Sequence, residues 1–340
     1  MTSVAVALCT HNGARYIGEQ LSSILDQTVR PEEIVLSDDA STDATVQIAE
    51  SIMAERGDGI RFTALRNDPA LGVARNFEQA TLATSADLVA LSDQDDVWHP
   101  RRVESAVARF DARPELLLLH GDARLVDGDG SPLGLTVFEA LEASAWELAS
   151  IEGGRAFEVF VRRTLAVGAT TVFRRTLLDR AVPFGVGWVH DEWLAIMAAS
   201  VGGGAVSVER TPLLDYRQHG GNQIGVRKLS LRGKLGRLRE GRRERNERML
   251  AASEVMVDRI ERLNVPEHIL NRAHAKLAHE RIRSSLPASR AMRALPIWRE
   301  WCTGRYETCG RGIPDAVRDL VQPVEGEGPH RSGFTASVRR

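Results

Sequence analysis

Short apolar runs and stretches of helical period alternate along the first 120 residues. Val4 to Leu8, Glu33 to Ser37, Ile60 to Leu65, Asp87 to Leu91 and Leu116 to His120 are rich in β-branched residues or leucine and read as strands. Between them, Ala14 to Gln27 places Ile17, Leu21, Ile24 and Leu25 on one face. Thr42 to Ala54, Gly72 to Ala83 and Pro100 to Ala112 also read as helices, the last with Val103, Ala106, Val107 and Phe110 on one side. Ser41 and Pro100 stand where helices start. Alternation at this spacing predicts an α/β fold with a mostly parallel, Rossmann-like sheet flanked by helices. In such sheets ligands gather beyond the carboxyl ends of the strands.

Those ends are unusually polar. The first strand runs out into Thr10-His11-Asn12-Gly13, the second into Ser37-Asp38-Asp39-Ala40-Ser41-Thr42-Asp43, and the fourth into Ser92-Asp93-Gln94-Asp95-Asp96-Val97-Trp98. No glycine-rich dinucleotide fingerprint or phosphate-binding P-loop follows any of them. Asp93, Asp95 and Asp96 repel one another and would raise each other's pKa unless a positive charge lies among them. A hard divalent cation, Mg2+ or Mn2+, meets that need with one or two carboxylates plus substrate phosphates. In an extended segment the Asp-Gln-Asp spacing points both carboxylates to the same side. Taken alone, the segment also fits a solvated acidic loop capping the next helix. Asp39, at a neighbouring strand end, suits a ribose hydroxyl or a base N–H, while Ser41 and Asp43 fit helix-capping and first-turn positions.

Composition sharpens the boundaries. The net charge of -2 hides an asymmetry: residues 1–225 carry 19 Arg and no Lys against 32 acidic residues, a net of -13, which leaves +11 for the remainder. The change of sign suggests two parts with different jobs, the first over residues 1–225. A basic helical extension would follow over 226–325, and a flexible tail over 326–340. Three cysteines, Cys9, Cys302 and Cys309, are too few for a disulfide framework, and no zinc spacing occurs. With no leader-like start and no apolar run near 20 residues, the chain reads as cytoplasmic, with peripheral attachment to the inner face of the membrane as an option.

Cys9-Thr10-His11-Asn12-Gly13, Tyr16-Ile17, Gln27-Thr28, the Asp38–Asp43 segment and Ser92-Asp93-Gln94-Asp95-Asp96-Val97-Trp98 together resemble the family 2 glycosyltransferases of GT-A fold. Gly72-Val73-Ala74-Arg75-Asn76 and Tyr216-Arg217-Gln218-His219-Gly220-Gly221-Asn222 resemble the rhamnosyltransferase-like branch of that family. The resemblance covers residues 1 to about 225 and implies a catalytic domain there, with a donor half to about 120 and an acceptor half over 121–225. It implies an inverting, metal-dependent transferase that moves a sugar, rhamnose from dTDP-rhamnose or a sugar from another dTDP or UDP donor, to a cell-surface polysaccharide or its lipid-linked precursor. It implies Asp39 at the nucleoside, Asp93 at the donor, and Asp95 on Mn2+ or Mg2+, with His219 as a further ligand. Thr10, Asn12, Arg75, Asn76 and Arg217 complete the expected donor contacts. Asp191, in Trp188-Val189-His190-Asp191-Glu192-Trp193, occupies the position of the family's catalytic base. Glu192 is the rival base and an acceptor contact. Of Trp98, Trp188 and Trp193, the last is the expected sugar-stacking residue on the acceptor side.

Two other readings compete. A nucleotidyltransferase would carry a glycine-rich loop after the first strand, where His11-Asn12-Gly13-Ala14 stands instead. A non-catalytic nucleotide-sugar scaffold would release no nucleoside diphosphate. The extension begins with Leu231, Leu235 and Leu238 on one face and Arg232, Lys234, Arg237 and Arg239 around them. Such a helix could lie on an anionic membrane, on the acidic domain, or on a second copy in a homodimer. No nucleic-acid-binding motif accompanies the arginines.

Overall fold

The computed structural model describes residues 2–219 and 241–325. The leucine-bearing basic helix expected from residue 227 and the tail over 326–340 lie outside the described residues. The described chain forms two compact units: residues 2–219 with 254–274, and residues 241–253 with 275–325.

The first unit is built on a seven-stranded sheet. Its strands are β1 (Val4–Thr10), β2 (Glu33–Asp38), β3 (Arg61–Arg66), β4 (Leu88–Ser92), β6 (Leu118–Gly121), β9 (Val172–Arg174) and β10 (Val206–Glu209), in the order β10-β6-β9-β4-β1-β2-β3. Only β9 runs against its neighbours β4 and β6. Every residue of β1, β2 and β4 is buried, which is why these strands read as continuous apolar runs and not as alternating ones. Helices α1 (Ile17–Leu25), α2 (Thr45–Arg56), α3 (Val73–Ala83) and α4 (Arg102–Ala112) fall where their periodicity predicts. The start of α2 differs in detail. The Ser41 hydroxyl is spent on Asp38, and Asp43 accepts the Thr45 N–H at 3.0 Å in its place.

A second sheet, β5 (Val97–Trp98), β11 (Leu214–Arg217), β7 (Arg124–Val126) and β8 (Pro132–Thr136), brings the chain after residue 213 back beside the acidic loop. The pairing of β11 with β5 is the important one, because it carries Arg217 and His219 to the Asp93–Asp96 segment. Among the described residues no helix is long and apolar enough to cross a membrane.

His120, on β6, is fully buried between the edges of Phe138 and Phe160, and neither ring nitrogen has a hydrogen-bond partner. Burial pushes its pKa down to about 4. The unfolded chain binds this proton near pH 6.5, so the unfolded state holds more protons between about 6.5 and 4. Stability should therefore fall as pH falls through that window, by up to ~3 kcal/mol. His120→Leu is expected to remove this part of the slope. Melting temperatures compared near neutral pH and near pH 5 would then differ less in the variant than in wild type.

The second unit contains the helices Arg290–Cys302, Arg305–Cys309 and Ile313–Val321. Leu286, Ile297 and Tyr306 form a small apolar cluster with Ala316 packed against it. Beside that cluster the interior is ionic. Arg283 pairs with Asp319 at 2.7 Å and with Glu280 at 3.2 Å; Lys276 reaches Glu280 at 2.7 Å; Arg305 reaches Glu300 at 2.6 Å. Burial pushes the Glu280 carboxyl up, but Lys276 and Arg283 outweigh it and hold it at about 2.

Candidate active site

Strands β1 and β4 lie side by side in parallel register, while the chain leaves β1 toward β2 and β3 on the opposite edge. The carboxyl ends of β1 and β4 thus border the topological switch point where α/β sheets bind ligands. Gln94 ties the two ends together: His11 donates its backbone N–H to Gln94 Oε1 at 2.8 Å, and Gln94 Nε2 donates to the His11 carbonyl at 3.1 Å. Gly13 makes room for this, since a Cβ there would overlap the Gln94 amide. Gln94 is a brace that fixes the loop between the two strand ends.

Burial, aided by the charges of Asp95 and Asp191, lifts the Asp93 carboxyl to about 7. Burial also raises Asp95, against the opposing pull of His219, and raises Asp96 well above the carboxylate range. Asp95 faces His219, with Oδ2 and Nε2 2.7 Å apart, and the His219 ring stacks on Tyr16 at 4.7 Å between centroids. Asp96 accepts the Arg217 N–H at 3.1 Å through Oδ1, while its buried Oδ2 has no hydrogen-bond partner. Tyr216 lies among the same charges: burial first, then Asp93, Asp96, Asp95 and Asp191, push its phenol pKa up.

Arg217 is among the expected donor contacts, and the structure gives its side chain a local task. Nε donates to the Asp95 carbonyl at 2.7 Å, Nη1 to the Gly128 carbonyl at 3.2 Å, and Nη2 to Glu19 at 2.6 Å, with the guanidinium over the Tyr16 ring. It clamps the acidic loop from β11.

Asp191 lies in the first turn of the helix His190–Ala199. Its Oδ2 accepts the Gly168 N–H and its Oδ1 the Glu192 N–H, each at 2.7 Å. The helix N-terminus favours negative charge at this point. Behind it, His190 is buried, stacks on Phe77 at 3.8 Å, and has no hydrogen-bond partner on either ring nitrogen. Gly168 fits only without a side chain, because a Cβ would come within 2.6 Å of His190 Nε2.

The remaining expected residues divide into those facing the crevice and those bracing it. Asp39 accepts the N–H groups of Leu71 at 2.6 Å and Gly72 at 2.9 Å, joining the end of β2 to the start of α3. Ala40, next to it, takes φ 62, a left-handed conformation that costs a residue with a Cβ ~1 kcal/mol. Thr10 donates to Asp38 at 2.7 Å, and Asn12 accepts the Thr42 N–H at 2.9 Å. Asn76 is buried and exchanges hydrogen bonds with Ser37, and Arg75 pairs with Glu78. Glu192 is half-buried beside Asp191. Trp193 corrects an expectation. Its ring is 0% exposed and donates Nε1–H to the Ala181 carbonyl at 2.7 Å, so it packs the core and offers no face to an acceptor sugar. Every residue from Trp193 to Ala199 is buried, so the helix is enclosed on all its faces there. Trp188, partly exposed and 5.6 Å from the Trp193 ring, stands nearer the surface.

Sequence reasoning passed over Tyr16 as a stacking platform, Glu19 as the partner of Arg217, and Gly168 as the donor to Asp191. Each acts through a contact between distant segments, and no local pattern marks it.

The residues fit a divalent cation. Carboxylates crowd together and burial keeps Asp93, Asp95 and Asp96 raised even though Arg102, Arg217 and His219 oppose the shift, so a further positive charge would be welcome here. Asp95 and His219 present an oxygen and a nitrogen to the same point. Among the described residues no group of three His, Cys, Asp or Glu side chains is arranged to hold a metal. A cation here would therefore rest on two side chains and on substrate phosphates, whose oxygens with the Asp95 carboxylate suit a hard divalent ion.

Comparisons with known proteins bear on this arrangement. EpsE, a putative glycosyltransferase of Bacillus subtilis (strain 168), is 34% identical over 105 residues, 31% of this chain and 37% of that protein. The dTDP-rhamnosyl transferase RfbG of Shigella flexneri is 26% identical over 242 residues, 68% of this chain and 78% of that protein. The match thus spans little more than a third of the first relative's length and about three quarters of the second's. TarS of S. aureus (1-349, in complex with UDP-GlcNAc) superposes with TM-score 0.57 at 17% identity, over 94% of this chain and 82% of that one. The mannosyltransferase PcManGT of Pyrobaculum calidifontis, in complex with GDP-Man and Mn2+, gives 0.52 at 18% identity, over 88% and 75%. These two likenesses concern the fold. Residues 5–181, just over half of the chain, match the family described as glycosyl transferase family 2. The chain has the GT-A fold and belongs to glycosyl transferase family 2.

Proposed function

We propose that this protein transfers a sugar from a nucleoside-diphosphate donor to a glycan hydroxyl with inversion, and that its first donor candidate is dTDP-rhamnose. The observation that carries the reading is the convergence of Asp93, Asp95 with His219, and Asp191 at the switch point. The donor sugar is suggested by the likeness to RfbG, named a dTDP-rhamnosyl transferase. The acceptor we favour is a cell-surface polysaccharide or its lipid-linked precursor.

In this reading Asp95 and His219 hold Mn2+ or Mg2+, which supplies neutralising charge to the departing diphosphate. Asp93 contacts the donor and Asp39 the nucleoside. Asp191, fixed by the Gly168 and Glu192 N–H groups, takes the proton of the acceptor hydroxyl. The freed oxygen forms its bond to the anomeric carbon as the bond to the diphosphate breaks, and the diphosphate leaves with the electron pair. One carboxylate suffices because a single displacement needs a base on one face only. Arg217 keeps the Asp95 backbone in place during this step.

A thermal-shift screen of dTDP-, UDP- and GDP-sugars with and without Mn2+ tests the donor assignment. The expected result is the largest rise in melting temperature with dTDP-rhamnose plus Mn2+. A larger rise with a UDP- or GDP-sugar would replace the rhamnosyl reading, and no rise with any donor would remove it.

A further inference from the structure

The second unit is amphipathic in the wrong sense for a helical unit in water. On the helix Arg290–Cys302 the inward positions are Arg293, Ile297 and Glu300, whereas Met292, Leu295 and Trp298 are 65%, 51% and 61% exposed, with Trp301 beside them. The helix Ile313–Val321 repeats the inversion: Asp315 and Asp319 are buried, while Ile313, Val317 and Leu320 are exposed. A solvated surface helix shows the opposite arrangement. The buried charges are well satisfied, since Asp319 accepts from Arg283 at 2.7 Å, from Arg245 at 3.0 Å and from the Tyr306 hydroxyl at 3.0 Å. Charges turned inward and apolar groups turned outward are what an apolar environment selects.

We propose that these two helices insert shallowly into the surface of an anionic phospholipid membrane. Charge selects that occupant. Glu300, Asp315 and Asp319, the only acids of the two helices, are all buried, so the exposed charges of the first helix are Arg290 and Arg299. Arginines beside an apolar face complement anionic headgroups. Exposed tryptophan suits the boundary between headgroups and acyl chains, where its ring is buried and its N–H stays wet. A second copy docking on the same face about a two-fold axis would meet the same arginines, with no exposed acid from these helices to pair with them. Shallow insertion agrees with the absence, among the described residues, of a helix able to span. The inference stands apart from the sugar-transfer reading, and it would place a family 2 transferase at the surface where lipid-linked acceptors reside.

Co-sedimentation of the full chain with vesicles of phosphatidylglycerol and phosphatidylcholine, against phosphatidylcholine alone, reads the contact without donor or acceptor. Wild type is expected to pellet with the anionic vesicles. The pair Leu295→Ser and Trp298→Ser is expected to lower the partition coefficient by about tenfold or more. Both side chains are exposed, so circular dichroism and melting temperature should stay at wild-type values. The pair Arg290→Glu and Arg299→Glu should also weaken binding, and only on the anionic vesicles. Wild type remaining in the supernatant overturns the proposal, as does equal pelleting of wild type and the Leu295/Trp298 variant. A wild-type dimer that the same substitutions dissociate in sedimentation velocity would assign the face to a second copy instead.

Discussion

Asp191→Asn is expected to lower kcat by about a thousandfold while leaving donor affinity at the wild-type value. Asparagine keeps the shape of the side chain and can still accept the Gly168 N–H, so the start of the helix His190–Ala199 should not move. It cannot take a proton from the acceptor. The other oxygen accepts the Glu192 N–H in wild type, and an amide nitrogen placed there loses that one bond. The structural cost is therefore small beside the catalytic one. Steady-state rates combined with calorimetric donor titration separate the two. Glu192→Gln serves as the counterpart and should retain most activity. If Asp191→Asn turns over normally and Glu192→Gln is inactive, the base is Glu192.

The second large effect is expected at Asp95. Asp95→Ala should reduce metal-dependent affinity for the donor by at least about a hundredfold, because outer-shell partners alone are worth tenfold to a hundredfold and this carboxylate is assigned to the metal itself. His219→Ala should lose less, since it removes one of two side-chain ligands and leaves the carboxylate. Stability should move differently from affinity. Asp95 crowds Asp93 and Asp96, whose pKa values its charge helps raise, and deleting it relieves that repulsion in the metal-free chain. An unchanged or higher melting temperature together with lost donor binding would identify a binding site held at the expense of stability. A collapse of the melting temperature would mean that Asp95 is chiefly a partner for His219.

The parallel core was legible in the sequence because β1, β2 and β4 are buried along their whole length and α1, α3 and α4 each keep an apolar face. All five expected strands and all four helices appear, with ends shifted by a few residues. The second sheet was not legible. Its strands β5, β7 and β11 span two to four residues, too short for a period to show, and they pair across long separations. That sheet sets half the site, since β11 brings Arg217 and His219 to the acidic loop.

Residue types were read more surely than their tasks. Asp95 faces His219, and the charges of Asp95 and Asp191 both act on Asp93. Arg217, Asn12 and Asn76, expected on the donor, have side chains engaged in bracing loops and strand ends. Trp193, expected to stack on an acceptor sugar, packs the core because its helix is buried nearly all round, which its local sequence does not mark. Polar residues at strand ends can brace a loop as readily as bind a ligand, and only the three-dimensional partners separate the two.

The central claim is that the Asp95–His219 pair holds the diphosphate of a nucleotide sugar through a divalent cation. Calorimetric titration of dTDP and UDP into the wild-type chain and into Asp95→Ala, each with Mn2+ and with a chelator, tests it most directly. Wild type is expected to bind at least one nucleotide with Mn2+, and to lose that binding both on chelation and in the variant. Equal affinity with and without Mn2+, or wild-type affinity in Asp95→Ala, would contradict it.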